Sequence, residues 1–182
     1  GLGLDKIGVS LGENNHIIVN KNGQTNIENI YAVGDVVGPP WLAHVSAAEG
    51  LYVAEYIANL HPKKIDYNCI PACTYSKPEV ASIGMTKKQL DKEGIEYNTA
   101  KSFFNSNGKA VATGETDGFI KIYVGSDNLI LGAHIIGSNA TEMISEFSLA
   151  MRNQLSVENI LDTIHPHPTF SEAIFETLMQ LK

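Results

Sequence analysis

Two imidazoles sit on one proline-locked stretch, HPHPTFSEA, at residues 165–173. His165 and His167 are each followed by proline, which fixes φ and removes a backbone donor. An imidazole titrates near neutrality, at about 6.5 when unperturbed, so either ring could take up and return a proton. Glu172 lies five residues after His167, and the residues around it offer it a local use. Thr169-Phe170-Ser171-Glu172 is a Thr-x-x-Glu capping box at the head of an apolar-periodic run, and on the residues alone the cap is the stronger reading.

A second stretch, IYAVGDVVGPPWLAH at residues 30–44, offers binding rather than proton transfer. A short apolar run ends at Gly34-Asp35, which places a carboxylate where α/β folds bind ligands, at the carboxyl edge of a sheet. The backbone N–H groups opening the next helix would suit an electron-rich ligand atom. The plainer reading makes Asp35 a turn residue and residues 41–44 a helix start, and the chemistry alone favours it. Cys69 and Cys73 are the chain's two cysteines. In a strand their Cα atoms would lie about 13 Å apart, whereas a disulfide needs less than about 7 Å. Two reduced, structural thiols in a reducing compartment are therefore expected. His134 alternates with apolar residues and reads as structural. No His, Cys or carboxylate pair has convincing metal-ligand spacing.

Composition narrows the classes. With 13 Lys plus Arg against 20 Asp plus Glu, the formal charge is −7. That balance argues against non-specific nucleic-acid binding and against attachment to an anionic membrane. No stretch approaches the roughly 20 apolar residues of a membrane span. The first residue is Gly rather than Met and no signal peptide is visible, which suits a processed product or a piece of something longer.

These groups need elements to hold them. Residues 1–67 read as turn-rich, with short apolar strands at 16–20 and 30–33 and a helix over 42–60. They contain too few strands to close a sheet alone. HPKKIDYN, at 61–68, reads as a domain boundary, and 68–182 alternates strands and helices. Residues 79–84 read as a strand, and 87–93 as a short helix opened by Thr86 with Gln89 and closed by Gly94. FIKIYV and LILGAHIIG form an antiparallel hairpin around GSDN. Residues 140–153 are an amphipathic helix with Met143, Phe147, Ala150 and Met151 on one side. Ser156 caps a further short helix, and a last helix is expected over 170–181. An antiparallel sheet with helices on one side is an α+β architecture.

The stretch IYAVGDVVGPPWLAHVSAAEG resembles the second flavin-binding segment of the pyridine nucleotide-disulfide oxidoreductases. That resemblance implies that Asp35 binds the ribityl chain of FAD and that Trp41, Leu42, Ala43 and His44 lie along the pyrimidine edge. The family usually carries Met where this sequence has Trp41; the contact there is largely main-chain. HPHPTFSE, IDYNCIPACTYSKPEVASIGMT and LGAHIIG are similar to the dihydrolipoamide dehydrogenase branch. Glutathione reductase-like members usually show a single HPT, and mercuric reductase-like members lack this histidine.

The resemblance runs nearly end to end and separates the two imidazoles. It implies that His167 is the base and Glu172 its orienting carboxylate, on a cis His167–Pro168 bond, with His165 a packing or hydrogen-bonding residue. It further implies FAD and NAD as cofactors, dihydrolipoamide as substrate, a homodimer through 68–182, and docking onto the acyltransferase core of a 2-oxoacid dehydrogenase complex. In that homodimer the His–Glu pair serves the opposite subunit.

The compartment implied is a bacterial cytoplasm or a mitochondrial matrix. The Gly-x-Gly-x-x-Gly loops and the Cys-x4-Cys pair of the family are not in these 182 residues, because GLGLDKIG and the Cys69/Cys73 spacing do not match them. The chain thus reads as a carboxyl-terminal portion: a remnant of the flavin-binding region over 1–67, then an interface domain, inactive alone. The alternatives are another disulfide reductase of the family and a non-catalytic dimerisation or docking module.

Overall fold

The computed structural model describes residues 2–182, and the chain divides into two compact units between Ile65 and Asp66. In the first unit the expected strands at 16–20 and 30–33 are reduced to single bridges, Leu11 with Ile17 and Gln24 with Tyr31. Their backbone groups turn to nearby loops instead: Ile17 donates to the Val36 carbonyl and Ala32 to that of Gly23. Gly34–Val37 forms a 3-10 turn, and helix α1 spans Ala43–Ile57. The helix stops short of residue 60 because Asn59 turns left-handed, at φ 58°, a conformation that breaks the helical ladder.

The second unit holds a five-stranded antiparallel sheet. Its strands are β1 (Ala72–Thr74), β2 (Val80–Gly84), β3 (Tyr97–Phe103), β4 (Phe119–Gly125) and β5 (Ile130–Ile136), in the order β1-β2-β5-β4-β3. Helices α2 (Lys87–Glu93) and α3 (Gly108–Thr113) flank β3 in sequence. After β5 come α4 (Ala140–Arg152), α5 (Val157–Leu161) and α6 (Glu172–Leu178). Period-two alternation decides which face is covered. Ile120 and Ile122 of β4 stand opposite Ile135 and Ala133 of β5, which in turn face Ala81 and Ile83 of β2. All six are buried, in one cluster with Met143, Ile144 and Phe147 of α4 and Ile174 and Leu178 of α6. Helix α4 packs over β2 and β5, and α6 over β3 and β4. Truncating a fully buried aromatic such as Phe147 typically costs about 3–5 kcal/mol.

Two local corrections bear on the sequence reading. Residues 69–75 do not form one strand: the Asp66 side chain accepts from the Asn68 N–H and curls 67–69 into a 3-10 turn before β1 begins. The last helix opens at Glu172 rather than at residue 170, and a 3-10 turn finishes it at Met179–Leu181. The last turn of that helix and the 3-10 turn after it are anchored to β3. The Ser102 and Thr177 hydroxyls pair, and the Lys101 N–H donates to the Gln180 side chain.

Candidate active site

The loop between α5 and α6 carries both imidazoles, and the structure gives them opposite environments. The His165 side chain is 7% exposed, and its Nε2 lies 2.9 Å from Oε1 of Glu146 on α4. Its Nδ1 faces the Thr163 carbonyl at 3.1 Å, and the ring packs against Phe175. Both nitrogens are committed to internal partners, so His165 works as an anchor. The His167 side chain is 77% exposed, with Nδ1 2.9 Å from Glu172 Oε1. A carboxylate only accepts, so Nδ1 carries the proton in this pair and Nε2 is the nitrogen left to exchange one.

Glu172 meets two demands at once. Oε1 receives the imidazole, and Oε2 accepts the Thr169 N–H at 2.8 Å. Those bonds hold its carboxyl below the usual glutamate range, the Thr169 N–H contributing most and His167 next. The Thr169 hydroxyl does not reciprocate as a cap. It donates to the Pro166 carbonyl at 2.7 Å and pairs with the Ser171 hydroxyl. The acidic half of the capping box is therefore present without its threonine half. The His167–Pro168 peptide is cis. A hollow of ≈ 400 Å³ beside the loop is lined by Ile164, His165, Glu172 and Phe175, among others.

Two contributors to the loop were not singled out from the sequence. Glu146 holds His165, and Asn107, fully buried, donates from Nδ2 to the Thr169 carbonyl at 3.1 Å. An Asn ahead of Gly108 and a short helix does signal an N-cap, but nothing in its spacing announces a partner 62 positions away.

The other candidates lie in the first unit. Asp35 is exposed on the Gly34–Val37 turn. Gly34 is required there. Its φ is +75°, and a Cβ would meet Ser46 Oγ at 2.7 Å. The Gly34 N–H donates to Glu49 Oε2 at 2.7 Å, which ties the turn to α1. Trp41 is 61% exposed, and Ala43 and His44 in the first turn of α1 are exposed too. The N-cap of α1 is Leu42, whose side chain offers no capping oxygen. An accessible carboxylate beside a helix N-terminus with no side-chain cap fits hydroxyls and carbonyl-type acceptors of a bound cofactor.

The thiols show no redox character. Burial, helped by the Asp66 carboxylate, pushes Cys69 up to about 11, and burial likewise raises Cys73. Among the described residues, no group of three His, Cys, Asp or Glu side chains could hold a metal ion. No helix among them is long and apolar enough to cross a membrane.

Comparison with known proteins adds to this geometry. Residues 70–178 match the family described as "Pyridine nucleotide-disulphide oxidoreductase, dimerisation domain", and residues 2–50 match "Pyridine nucleotide-disulphide oxidoreductase". The chain is 43% identical over 176 residues to the dihydrolipoyl dehydrogenase of Bacillus subtilis, covering 96% of this chain and 37% of that one. It is 46% identical over 178 residues to the mitochondrial dihydrolipoyl dehydrogenase of Sus scrofa, covering 96% of this chain and 34% of that one. Among solved structures it superposes on LpdA from Mycobacterium tuberculosis with a TM-score of 0.94 at 27% identity, covering 100% of this chain and 40% of that one. The chain spans little more than a third of the length of the curated relatives it matches.

Proposed function

Since the chain belongs to the pyridine nucleotide-disulphide oxidoreductase family, we propose that it is the carboxyl-terminal part of a dihydrolipoamide dehydrogenase. In this reading His167 is the acid–base group and Glu172 the carboxylate that orients it. The observation that carries it is the 2.9 Å contact between His167 Nδ1 and Glu172 Oε1 on a ring otherwise open to the outside. Dihydrolipoamide gives a thiol proton to His167 Nε2 while Glu172 keeps Nδ1 fixed and offsets the new positive charge. The thiolate so formed opens a disulfide carried elsewhere in the flavoprotein, and its second thiol completes the exchange to lipoamide and an enzyme dithiol. FAD, when bound, supplies the two-electron relay from that dithiol to NAD⁺. Asp35 would meet the ribityl hydroxyls and Trp41–His44 the pyrimidine edge.

An exposed base needs a reacting partner brought to it. We place that partner on a second subunit, in a homodimer through 68–182 whose His–Glu pair serves the opposite protomer. The dimerisation-domain match over 70–178 and the mostly exposed His167 ring support this arrangement. The chain alone is then inactive. We infer service to a 2-oxoacid dehydrogenase complex through its acyltransferase core, in a bacterial cytoplasm or mitochondrial matrix; the likeness to dihydrolipoyl dehydrogenases supports this reading.

The test is NAD⁺ reduction by dihydrolipoamide with the complete flavoprotein, comparing wild type, His167→Gln and His165→Gln. Loss of a positioned acid–base group costs about 10²–10⁴-fold in rate. That loss is expected for His167→Gln. His165→Gln keeps the wild-type pH profile. A wild-type rate in His167→Gln would falsify the assignment.

A further inference from the structure

We propose that Asn107 is a positioning residue for the His167–Glu172 pair, holding from the head of α3 the carbonyl of Thr169, the residue whose N–H braces Glu172. The proposal rests on the acid–base reading of that pair. Asn107 is fully buried, and so are Phe104 and Ala110 beside it in sequence. Phe104 meets Phe170 edge-on at 5.9 Å, which closes apolar walls over the region where the loop enters α6.

Within that setting the amide makes two bonds of opposite polarity. Oδ1 accepts the Ala110 N–H at 3.0 Å, and Nδ2 donates to the Thr169 carbonyl at 3.1 Å. One partner is a donor and the other an acceptor, so the amide has only one orientation that satisfies both.

Capping α3 requires only an acceptor, which Ser, Thr or Asp would supply equally well. The donor half of Asn107 is not needed by α3. Its target is the Thr169 carbonyl, one Cα removed from the Thr169 N–H that Glu172 Oε2 holds. The relay is therefore short: Asn107 Nδ2 to the Thr169 carbonyl, the Thr169 N–H to Glu172 Oε2, and Glu172 Oε1 to His167 Nδ1. With the Thr169 carbonyl pinned, the Thr169–Phe170 peptide cannot rotate without leaving a part-buried acceptor and the buried Asn107 amide unpaired, and the N–H one Cα away is restrained with it. That immobility fixes where the Glu172 carboxylate stands, and hence which way His167 presents Nε2. The Thr169 N–H is also the largest cause of the lowered Glu172 titration, which makes the carboxyl a reporter of the tether.

The experiment is Asn107→Ser, which retains a capping oxygen for α3 but cannot reach the Thr169 carbonyl. In the 182-residue chain the Glu172 carboxyl is titrated by carbon-detected NMR. The expected result is a Glu172 titration moved upward, towards the ordinary glutamate value, with α3 still protected from amide exchange. In the complete flavoprotein kcat falls roughly ten- to hundredfold at unchanged KM, the scale of a small misplacement. A Glu172 titration that stays at its wild-type position overturns the proposal.

The NMR arm does not depend on turnover. A complete flavoprotein that ignores dihydrolipoamide would therefore sink the acid–base reading without touching the tether. If Asn107→Ser does not fold, the wild-type chain decides. A scalar coupling across the hydrogen bond from the Asn107 side-chain N–H to the Thr169 carbonyl carbon supports the tether, and its absence overturns it.

Discussion

Glu172 divides its carboxylate between the two groups that the sequence made rivals for it: Oε1 lies 2.9 Å from His167 Nδ1, and Oε2 takes the Thr169 N–H at 2.8 Å. Helix capping and imidazole orientation are thus one arrangement. The bond to the backbone stops the carboxylate from following the ring, and the ring is oriented because the carboxylate is held.

That division predicts the behaviour of Glu172→Gln. A glutamine offers one acceptor oxygen and a donor amide. Its oxygen can accept the Thr169 N–H, but its amide then meets His167 only by donating to Nδ1, which leaves the ring's proton on Nε2, the wrong tautomer for a base. We expect kcat of the complete flavoprotein to drop about 10²-fold, as for a misplaced acid–base group, with KM little changed. The carboxylate's stabilising contribution is present above the ordinary value of 4.5 and is lost as pH falls through its lower folded value. Urea midpoints of wild type and Glu172→Gln should therefore converge in acid. Parallel curves down to low pH would show that the folded carboxyl gains nothing from these bonds.

His165 predicts the opposite combination. Its nitrogens serve Glu146 and the Thr163 carbonyl from a nearly buried position. His165→Ala removes the ring's contacts with Glu146, the Thr163 carbonyl and Phe175, at an expected cost of about 1–3 kcal/mol in unfolding free energy. Denaturant titration measures it. Any fall in turnover should come without a change in the shape of the pH–rate profile, since the proton passes through His167.

How far the sequence discloses this depends on whether an interaction is local or distant. The β4–β5 hairpin is legible because Ile120, Ile122 and Val124 alternate with Phe119, Lys121 and Tyr123, and Asn128 supplies the left-handed turn residue. The Thr86–Gln89 box is legible for the same reason, all its partners lying within one turn. Strand β3 is not. As an edge strand it buries only Ala100 of its seven residues, so YNTAKSF reads as a polar loop. Helix α3 hides behind Gly108 and Thr113, poor helix formers. In the site, the residues alone read Glu172 as a helix cap, and it is the family resemblance that pairs it with His167. Asn107 and Glu146 reach the same loop only through tertiary packing, and no periodicity reports that.

The thiols give a prediction that separates structural from redox cysteines. Thiolate is the reactive form, and Cys69 is pushed up to about 11 while Cys73 is also raised. Near pH 7.5 both should react with a disulfide reagent well below the rate of a free cysteine, and Cys69→Ser with Cys73→Ser should leave any turnover intact. Rapid labelling of either thiol in the folded chain would contradict the environments described.

His134 provides the clearest pH signature outside the site. It lies on β5 between Ser82 and Lys121 of the neighbouring strands, against the Tyr123 ring, with Nε2 3.1 Å from the Met85 carbonyl. Burial lowers its titration below the ordinary 6.5; Lys121 adds to that, and the Met85 carbonyl opposes it. Between the folded and unfolded values the unfolded chain binds the extra proton, so stability is full above 6.5 and declines as pH falls below it. His134→Gln keeps a donor for Met85 and removes the titration. From about pH 7.5 to about pH 5 the wild-type urea midpoint should fall more steeply than that of the variant. Equal slopes would mean that the ring is as easily protonated in the fold as outside it, and that the row of side chains on the sheet's outer face gives it no shelter.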